Sequence, residues 1–383
     1  MASVNDTLRA LDSLLFGAQR GARRLLGRTG HPCIVPHRGW TTRDKAVVLG
    51  RVIEQDAPFL GGFARRPRLV QAAYDRFATM PIAGVPLRIR WEGQLIETTS
   101  GPAGFVDVTF PLPPDGPPRG ITRAQLEVVG HGAPLAVQAE VHALRPDAHT
   151  AIISDIDDTV LETEVTNPFK RAAQLMYSTR RMRLPFDGIA ALYQAFAGSG
   201  HAMFYVSNAP WNLYAPLVTL LDHHAIPRGP VLLRDMGLVE RRAANQQGVH
   251  KQVALSRLVE DFSDLRFILL GDSTRSDAVR YVEVAERYPR RVEVIYIRKV
   301  PGLLSRNADL APLVARAERV GVELFVATDT VAIAAHAAAR GLVVPRGVDH
   351  VSEGKRADEQ GTPAEAPPQD APPAAAQRPT AGP

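Results

Sequence analysis

Three carboxylates stand together in the stretch AIISDIDDTVLETEV, residues 151–165: Asp155, Asp157 and Asp158, followed at once by Thr159. Like charges this close repel one another and resist burial, so the cluster needs a counter-charge or a reaction to justify it. Carboxylates grouped in this way can hold a hard divalent cation, attack an electrophile, or relay a proton. Complementary groups then follow in a fixed order: Ser207 after MFYV, Lys251 at the start of a helical stretch, and Asp272 with Asp277 in RFILLGDSTRSD. An Asp-x-Asp-x-Thr match alone is weak, because both residue types are ordinary in globular chains. Its weight comes from position and company.

The elements that must hold these residues are legible from residue 150 onward. TAIISDID, HAMFYVSN, PVLLRDM, RFILLGDS and VEVIYIRKV read as buried strands, with helices such as DGIAALYQAFAGSG and VHKQVALSRLVEDF between them. This alternation predicts right-handed βαβ units and a doubly wound parallel sheet, an α/β fold. The acidic cluster then sits at the carboxyl end of the first strand, the edge of such sheets where ligands bind. Upstream, AVVLGRVI, VPLRIRWEG, GFVDVTFPLP, AQLEVVG and LAVQAEVHAL are short and turn-punctuated. They predict antiparallel strands of a β-sandwich-like domain, interrupted by one helix in RLVQAAYDRFATM.

The domain boundaries expected are 1–30 for a basic amphipathic helix, 31–147 for the β-sandwich-like domain and 148–350 for the α/β domain. Residues 351–383, ending in a Pro/Ala-rich run, are expected to be a disordered tail. The 383 residues are 45% hydrophobic, enough for two cores, and the formal charge of +5 leans toward an anionic partner. A single cysteine, Cys33, excludes an intramolecular disulfide and a cysteine-based metal cluster. With no apolar run long enough to span a bilayer and no signal-peptide arrangement, a cytoplasmic location is expected. The arginines form no stripe of the kind a nucleic-acid module presents, so a nucleic-acid partner is not expected.

The four motifs together resemble the haloacid dehalogenase superfamily of phosphohydrolases, matched by Asp155 and Asp157, Ser207, Lys251, and Asp272 with Asp277. A finer resemblance, over about 34–345, is to the phosphatidate phosphatase family named for a yeast actin-patch protein. It rests on ISDIDDTVLETEVTN, FYVSNAPWNLY, HKQVALSRLVEDFSDLRFILLGDS, VEVIYIRKV and the upstream VPHRGWTTRDKAVVLGRV. The chain departs from that family at Asn208, where a second Ser is usual, and at Thr274-Arg275, where a Gly-Gln pair is usual.

The resemblance implies a HAD-like sheet with a short cap, about 162–185, and a Mg²⁺-dependent phosphatase. Asp155 would attack phosphorus and carry an aspartyl-phosphate, splitting one slow step into two. Asp155 and Asp272 would supply the metal carboxylates, and by resemblance the Asp157 backbone carbonyl the remaining protein ligand. Asp157 would protonate the leaving alcohol and later deprotonate water. Ser207 and Lys251 would meet the phosphoryl oxygens as a neutral donor and a point charge. Thr159, Asn208 and Asp277 are supporting residues that fix loops or hold their neighbours.

Fewer than fifty residues separate Asp157 from Ser207, and part of them must form a connecting helix, so little remains for a lid. An open mouth fits a phosphate monoester carried on something large. Arg180, Arg181 and Arg183 in the cap could contact anionic headgroups, with Arg298 as a further candidate; a solvated helical face explains the cap arginines equally well. In the N-terminal segment Leu8, Leu11, Leu15, Ala18, Ala22 and Leu25 share one helical face opposite Arg9, Arg20, Arg23 and Arg24. That pattern suits either packing on the β domain or a bilayer interface. The expected activity is hydrolysis of phosphatidate to diacylglycerol and phosphate, with peripheral contact at the inner membrane face. Two alternatives stay open: a phosphatase for a phosphoprotein or soluble phosphomonoester, and a catalytically silent membrane-binding or scaffold protein.

Overall fold

The computed structural model describes residues 31–55, 80–113, 116, 118–130, 135–145, 147–156, 187–234, 249–272, 275–299 and 310–360. The amphipathic helix expected over 1–30, the helix in RLVQAAYDRFATM and the cap over 162–185 lie outside them. The α/β domain is built on six parallel strands: β9 (Thr150–Asp155), β10 (Ala202–Pro210), β11 (Val231–Arg234), β12 (Arg266–Asp272), β13 (Val292–Arg298) and β14 (Glu323–Ala327), in the spatial order β11-β10-β9-β12-β13-β14. Both faces of this sheet are covered, which is why its strands read as unbroken apolar runs. One face carries α1 (Ile189–Gly198), α2 (Tyr214–His223), α6 (Thr330–Ala339) and α7 (Pro345–Gln360), packed on Ile152, Tyr205, Ile268 and Tyr296. The other carries α3 (Val249–Asp261), α4 (Arg275–Arg287) and α5 (Ala311–Arg319), packed on Ile153, Phe204, Leu269 and Ile295. Chain order reverses direction between β9 and β12, so the topological switch point, where such sheets open a crevice, falls between the strands that end in Asp155 and Asp272.

Two boundaries differ from expectation. Strand β14 joins the sheet as a sixth member, its five residues being too short a run to stand out by pattern. Helix α7 extends to Gln360, ten residues into the segment expected to be disordered. Its anchors are tertiary and so invisible to composition: Val351 is fully buried, Lys355 Nζ lies 2.8 Å from Asp329 Oδ2, and Asp358 Oδ2 accepts from the Gly188 amide at 2.7 Å.

The N-terminal domain corrects the sandwich expectation. Its strands are β1 (His31–Thr41), β2 (Lys45–Gln55), β3 (Met80–Pro81), β4 (Pro86–Trp91), β5 (Gln94–Thr99), β6 (Phe105–Pro111), β7 (Ile121–Val128) and β8 (Leu135–His142). They form a single sheet in the order β3-β2-β1-β8-β7-β4-β5, with β6 paired on β2. The sheet curls until Gln94, at the start of β5, donates from Nε2 to the Pro111 carbonyl at the end of β6, 2.9 Å away. The result is barrel-like and nearly closed, around one core that includes Val48, Val52, Ile89, Trp91, Phe110 and Leu126. Inward and outward residues alternate in the same way in a sandwich and in a barrel, so the strand pattern could not separate them.

Strand β1 also escaped the pattern, because Pro32, Pro36 and the polar run His37-Arg38 interrupt it. A register irregularity between His37 and Trp40 turns the chain there, and Gly39 is required: a Cβ would stand 2.0 Å from the Val47 carbonyl oxygen.

Strand β2 is buried on both sides. Ala46, Val48 and Val52 enter the barrel core, while Val47 and Leu49 join Trp40 against the α/β domain. His37 belongs to this second face and stacks on Trp211 at 4.4 Å between ring centroids. Burial drives its imidazole down to about 3, and the nearby Arg51 charge adds to the effect. The folded chain therefore keeps His37 neutral while the unfolded chain takes up a proton below about 6.5. Stability is expected to fall as pH drops from about 6.5 toward 3, by up to about 1.4 kcal/mol per pH unit for this one group. Urea unfolding of wild type and His37→Phe at pH 7 and pH 5 checks it: the variant should show a shallower acid loss, and parallel losses would assign the slope to other groups.

Candidate active site

Asp155 ends β9 with 4% of its surface exposed, flanked by β10 and β12 through the Val206–Asp155 and Leu270–Ser154 register pairs. Asp272 ends β12 opposite Arg298, the last residue of β13, and both are buried too. Asp155, Asp272, Arg298, Leu270 and Gly271 line one recess with Ile189 and Ile333, with room of about 10 Å³ for about one water. The strand ends below it are tied by phenols that burial holds in the neutral form. Tyr281 donates to the Leu270 carbonyl at 3.0 Å, and the Tyr193 hydroxyl lies 2.7 Å from Ser154 Oγ.

Lys251, in the first turn of α3, reaches across to this edge and is 3% exposed. Its Nζ lies 2.7 Å from Asp155 Oδ2 and 2.9 Å from Asp277 Oδ1. Asp277 belongs to the first turn of α4, and burial alone would raise its carboxyl. The Lys251 ammonium, with the hydrogen bonds Asp277 shares with Asp155 and Lys251, outweighs burial and holds it below the usual carboxylate range. Gly271 makes this packing possible, since a Cβ there would stand 2.8 Å from the Tyr281 ring and 3.3 Å from the Asp277 Cβ. Its place in LLGDS is therefore set by the helix beneath the site.

Ser207 follows Val206 on β10 and is 1% exposed. The ladder to β11 shifts register between Val206 and Pro210, an irregularity that spans Ser207. There the Ala209 amide donates to Ser207 Oγ at 2.9 Å, a local turn, and Asn208 is half-buried beside it. Thus Asp155, Lys251 and Asp277 are in direct contact, Asp272 and Arg298 share the recess with Asp155, and Ser207 stands one strand over at the same edge. Asp157, Thr159, Arg180, Arg181 and Arg183 lie outside the described residues. Sequence reasoning did not find Ile189 and Ile333, the apolar walls, nor the tyrosines that hold the strand ends. Only Gly271 left a readable mark.

The donor set bears on metal chemistry. Among the described residues no group of three His, Cys, Asp or Glu side chains is arranged to hold an ion. Two oxygen-bearing carboxylates at one recess are what a magnesium site asks of a protein, since Mg²⁺ takes one or two carboxylates and fills its octahedron with carbonyls, waters and substrate oxygens. Asp155 and Asp272 fit that group.

Comparison with known proteins reaches the same stretch. The family described as phosphatidate phosphatase APP1, catalytic domain, matches residues 150–299. The phosphatidate phosphatase APP1 of Saccharomyces cerevisiae is 27% identical over 180 residues, 45% of this chain and 29% of that protein. An uncharacterized protein of Schizosaccharomyces pombe is 26% identical over 151 residues, 39% of this chain and 25% of that protein. The chain therefore spans under a third of the length of either relative. A HAD family hydrolase of Deinococcus radiodurans, solved with phosphate and sodium, covers 52% of this chain at 14% identity, with a TM-score of 0.29. Among the described residues no helix is long and apolar enough to cross a membrane.

Proposed function

We propose, from the family match over 150–299, that this chain is a Mg²⁺-dependent phosphoric monoester hydrolase with a HAD-type catalytic centre, cleaving phosphatidate to diacylglycerol and phosphate. The observation that carries the reading is Asp155: a buried carboxylate at the switch point, 2.7 Å from Lys251 and sharing its recess with Asp272. An Oδ of Asp155 attacks phosphorus as the bond to the glycerol oxygen breaks, and Asp157 gives that oxygen a proton. A water then surrenders a proton to Asp157 and attacks the aspartyl-phosphate, releasing phosphate, restoring the Asp155 carboxylate and leaving Asp157 protonated for the next cycle.

Lys251 neutralises Asp155 while the site is empty of substrate and meets a phosphoryl oxygen when substrate arrives. Ser207 donates to a second oxygen. Asp277 holds Lys251 between the two carboxylates, and Arg298 adds positive charge at the recess wall. Asp155 and Asp272, with the Asp157 carbonyl, would hold Mg²⁺, which when bound neutralises charge on the transferring group. Thr159 and Asn208 support the loops that carry Asp157 and Ser207.

Phosphatidate lies in a bilayer, so the reading places the protein in the cytoplasm with peripheral membrane contact through Arg180, Arg181 and Arg183. A basic residue near an anionic surface contributes about 1 kcal/mol. The test compares phosphatidate vesicles with a soluble phosphomonoester, each with Mg²⁺ and with EDTA. Wild type should hydrolyse both only with metal. Replacing the three arginines by Ala should lower vesicle turnover by about tenfold or more and leave the soluble substrate unaffected, and added salt should imitate the substitution. Equal losses on both substrates would move the arginines into catalysis or folding. Turnover confined to soluble phosphomonoesters or phosphopeptides would replace the lipid, and none on any substrate would leave a scaffold.

A further inference from the structure

The β domain meets the α/β domain at one stretch of functional consequence, the residues that follow Ser207. Arg51 of β2, 7% exposed, donates from Nη1 to Asn212 Oδ1 at 3.1 Å and from Nε to the Ala103 carbonyl at 2.9 Å, with its guanidinium 4.8 Å over the Phe105 ring. Phe105 meets Trp211 edge-on at 5.5 Å, and His37 stacks on the same indole. The Arg38 amide donates to the Tyr214 hydroxyl at 2.6 Å, and the Arg38 guanidinium forks onto Asp222 of α2 with both contacts at 2.8 Å. Three of the four residues 211–214 are thus gripped from the other domain. Only Asn208, Ala209 and Pro210 separate them from Ser207, and Pro210 stiffens that link by fixing its own φ.

Burying a guanidinium is costly, and an aliphatic side chain would seal a domain boundary with less desolvation. What an arginine adds is directed bonding across the boundary. We propose that the β domain positions the Ser207 end of β10, and that Arg51, acting through Asn212, is a positioning residue for the groups that meet the phosphoryl oxygens. The inference rests on the phosphatase reading for what Ser207 does. It gives the barrel domain a catalytic purpose: the register to β11 shifts between Val206 and Pro210, and the barrel's contacts to Trp211, Asn212 and Tyr214 hold the chain just beyond that shift.

Asn212 is the side to perturb, because Arg51 also supports the Ala103 loop. In the full chain, Asn212→Leu removes the acceptor at similar volume, whereas Asn212→Asp keeps an oxygen facing the guanidinium. Turnover of p-nitrophenyl phosphate and its inhibition by inorganic phosphate are the readouts. Asn212→Leu should raise KM and the phosphate inhibition constant about tenfold, the scale of one charge-assisted hydrogen bond, with the thermal midpoint held to within a few degrees. Asn212→Asp should recover wild-type values. In a Ser207→Ala background the Asn212→Leu effect should largely vanish, since both changes act on one contact. Full additivity, or an equal loss in Asn212→Asp, overturns the inference. Hydrogen exchange of amides 207–214, faster in Asn212→Leu alone, decides the question even if the chain turns over no phosphate ester. Unchanged exchange there overturns the positioning role, and absent wild-type turnover is instead the failure of the phosphatase reading.

Discussion

An Asp155→Asn chain is expected to keep its fold and lose at least about three orders of magnitude in Mg²⁺-dependent phosphate release. The amide is a poor nucleophile toward phosphorus and a poor ligand for a hard cation, so both proposed duties of this position fail together. The surroundings set the stability outcome. Asp155, Asp272 and Asp277 are all buried at one sheet edge, and Lys251 is shared between two of them. Removing one carboxylate relieves repulsion and leaves Lys251 its contact with Asp277 at 2.9 Å. Measured metal-free, the thermal midpoint of Asp155→Asn should therefore be no lower than that of wild type, the mark of a site arranged for reaction at the expense of stability. Retention of more than about a tenth of the wild-type rate would sink the aspartyl-phosphate mechanism.

How far the sequence foretold this site depended on where each residue draws its meaning. Asp155, Ser207 and Asp272 were legible because each closes an apolar run, and the end of a buried strand in a parallel sheet is a place that pattern alone can identify. Lys251 was harder. A lysine in a first helical turn is ordinarily solvated, and its 3% exposure follows from α3 being laid against the sheet edge, a tertiary fact. Arg51 and Asn212 carried no signal at all, since each is unremarkable in its own segment and they meet across 161 residues of sequence.

The folds of the two domains differ in the same way. Five of the six parallel strands announce themselves through repeated βα alternation, whereas closure of the barrel depends on where β5 and β6 end in space, which the Gln94–Pro111 hydrogen bond shows and periodicity does not. The overlooked β1 shows a third kind of limit. Its prolines and its His37-Arg38 pair argue against a strand, and both polar residues are there because the strand also serves as the docking face for another domain.

Lys251→Met tests the electrostatics of the site from the opposite side. The substitution keeps the length and apolar stem of the side chain but strands Asp155 and Asp277, 4% and 1% exposed, without their shared cation. Breaking a buried pair by removing one partner costs about 3–5 kcal/mol, so a substantial fall in denaturation midpoint is expected at neutral pH. The pH dependence of the Asp277 contribution should change sign. In the wild type Asp277 is held below the ordinary carboxylate range, so its contribution is complete above that range and is lost as pH falls through the lowered value. Without Lys251 the burial that raises the Asp277 carboxyl is no longer outweighed, its folded value climbs above the unfolded one, and stability is then lost as pH rises. Urea titrations with EDTA present should show the gap between the two chains widening as pH rises from 4 to 8, a difference in which the His37 contribution, common to both, cancels. A second change, Asp277→Leu on top of Lys251→Met, should recover much of the stability by removing a stranded charge, yet recover no turnover, because the phosphoryl oxygens still lack their cation. A Lys251→Met chain with an unaltered midpoint at pH 8 would show that the ammonium does not offset the buried carboxylates, and a double variant with restored turnover would take Lys251 out of the reaction.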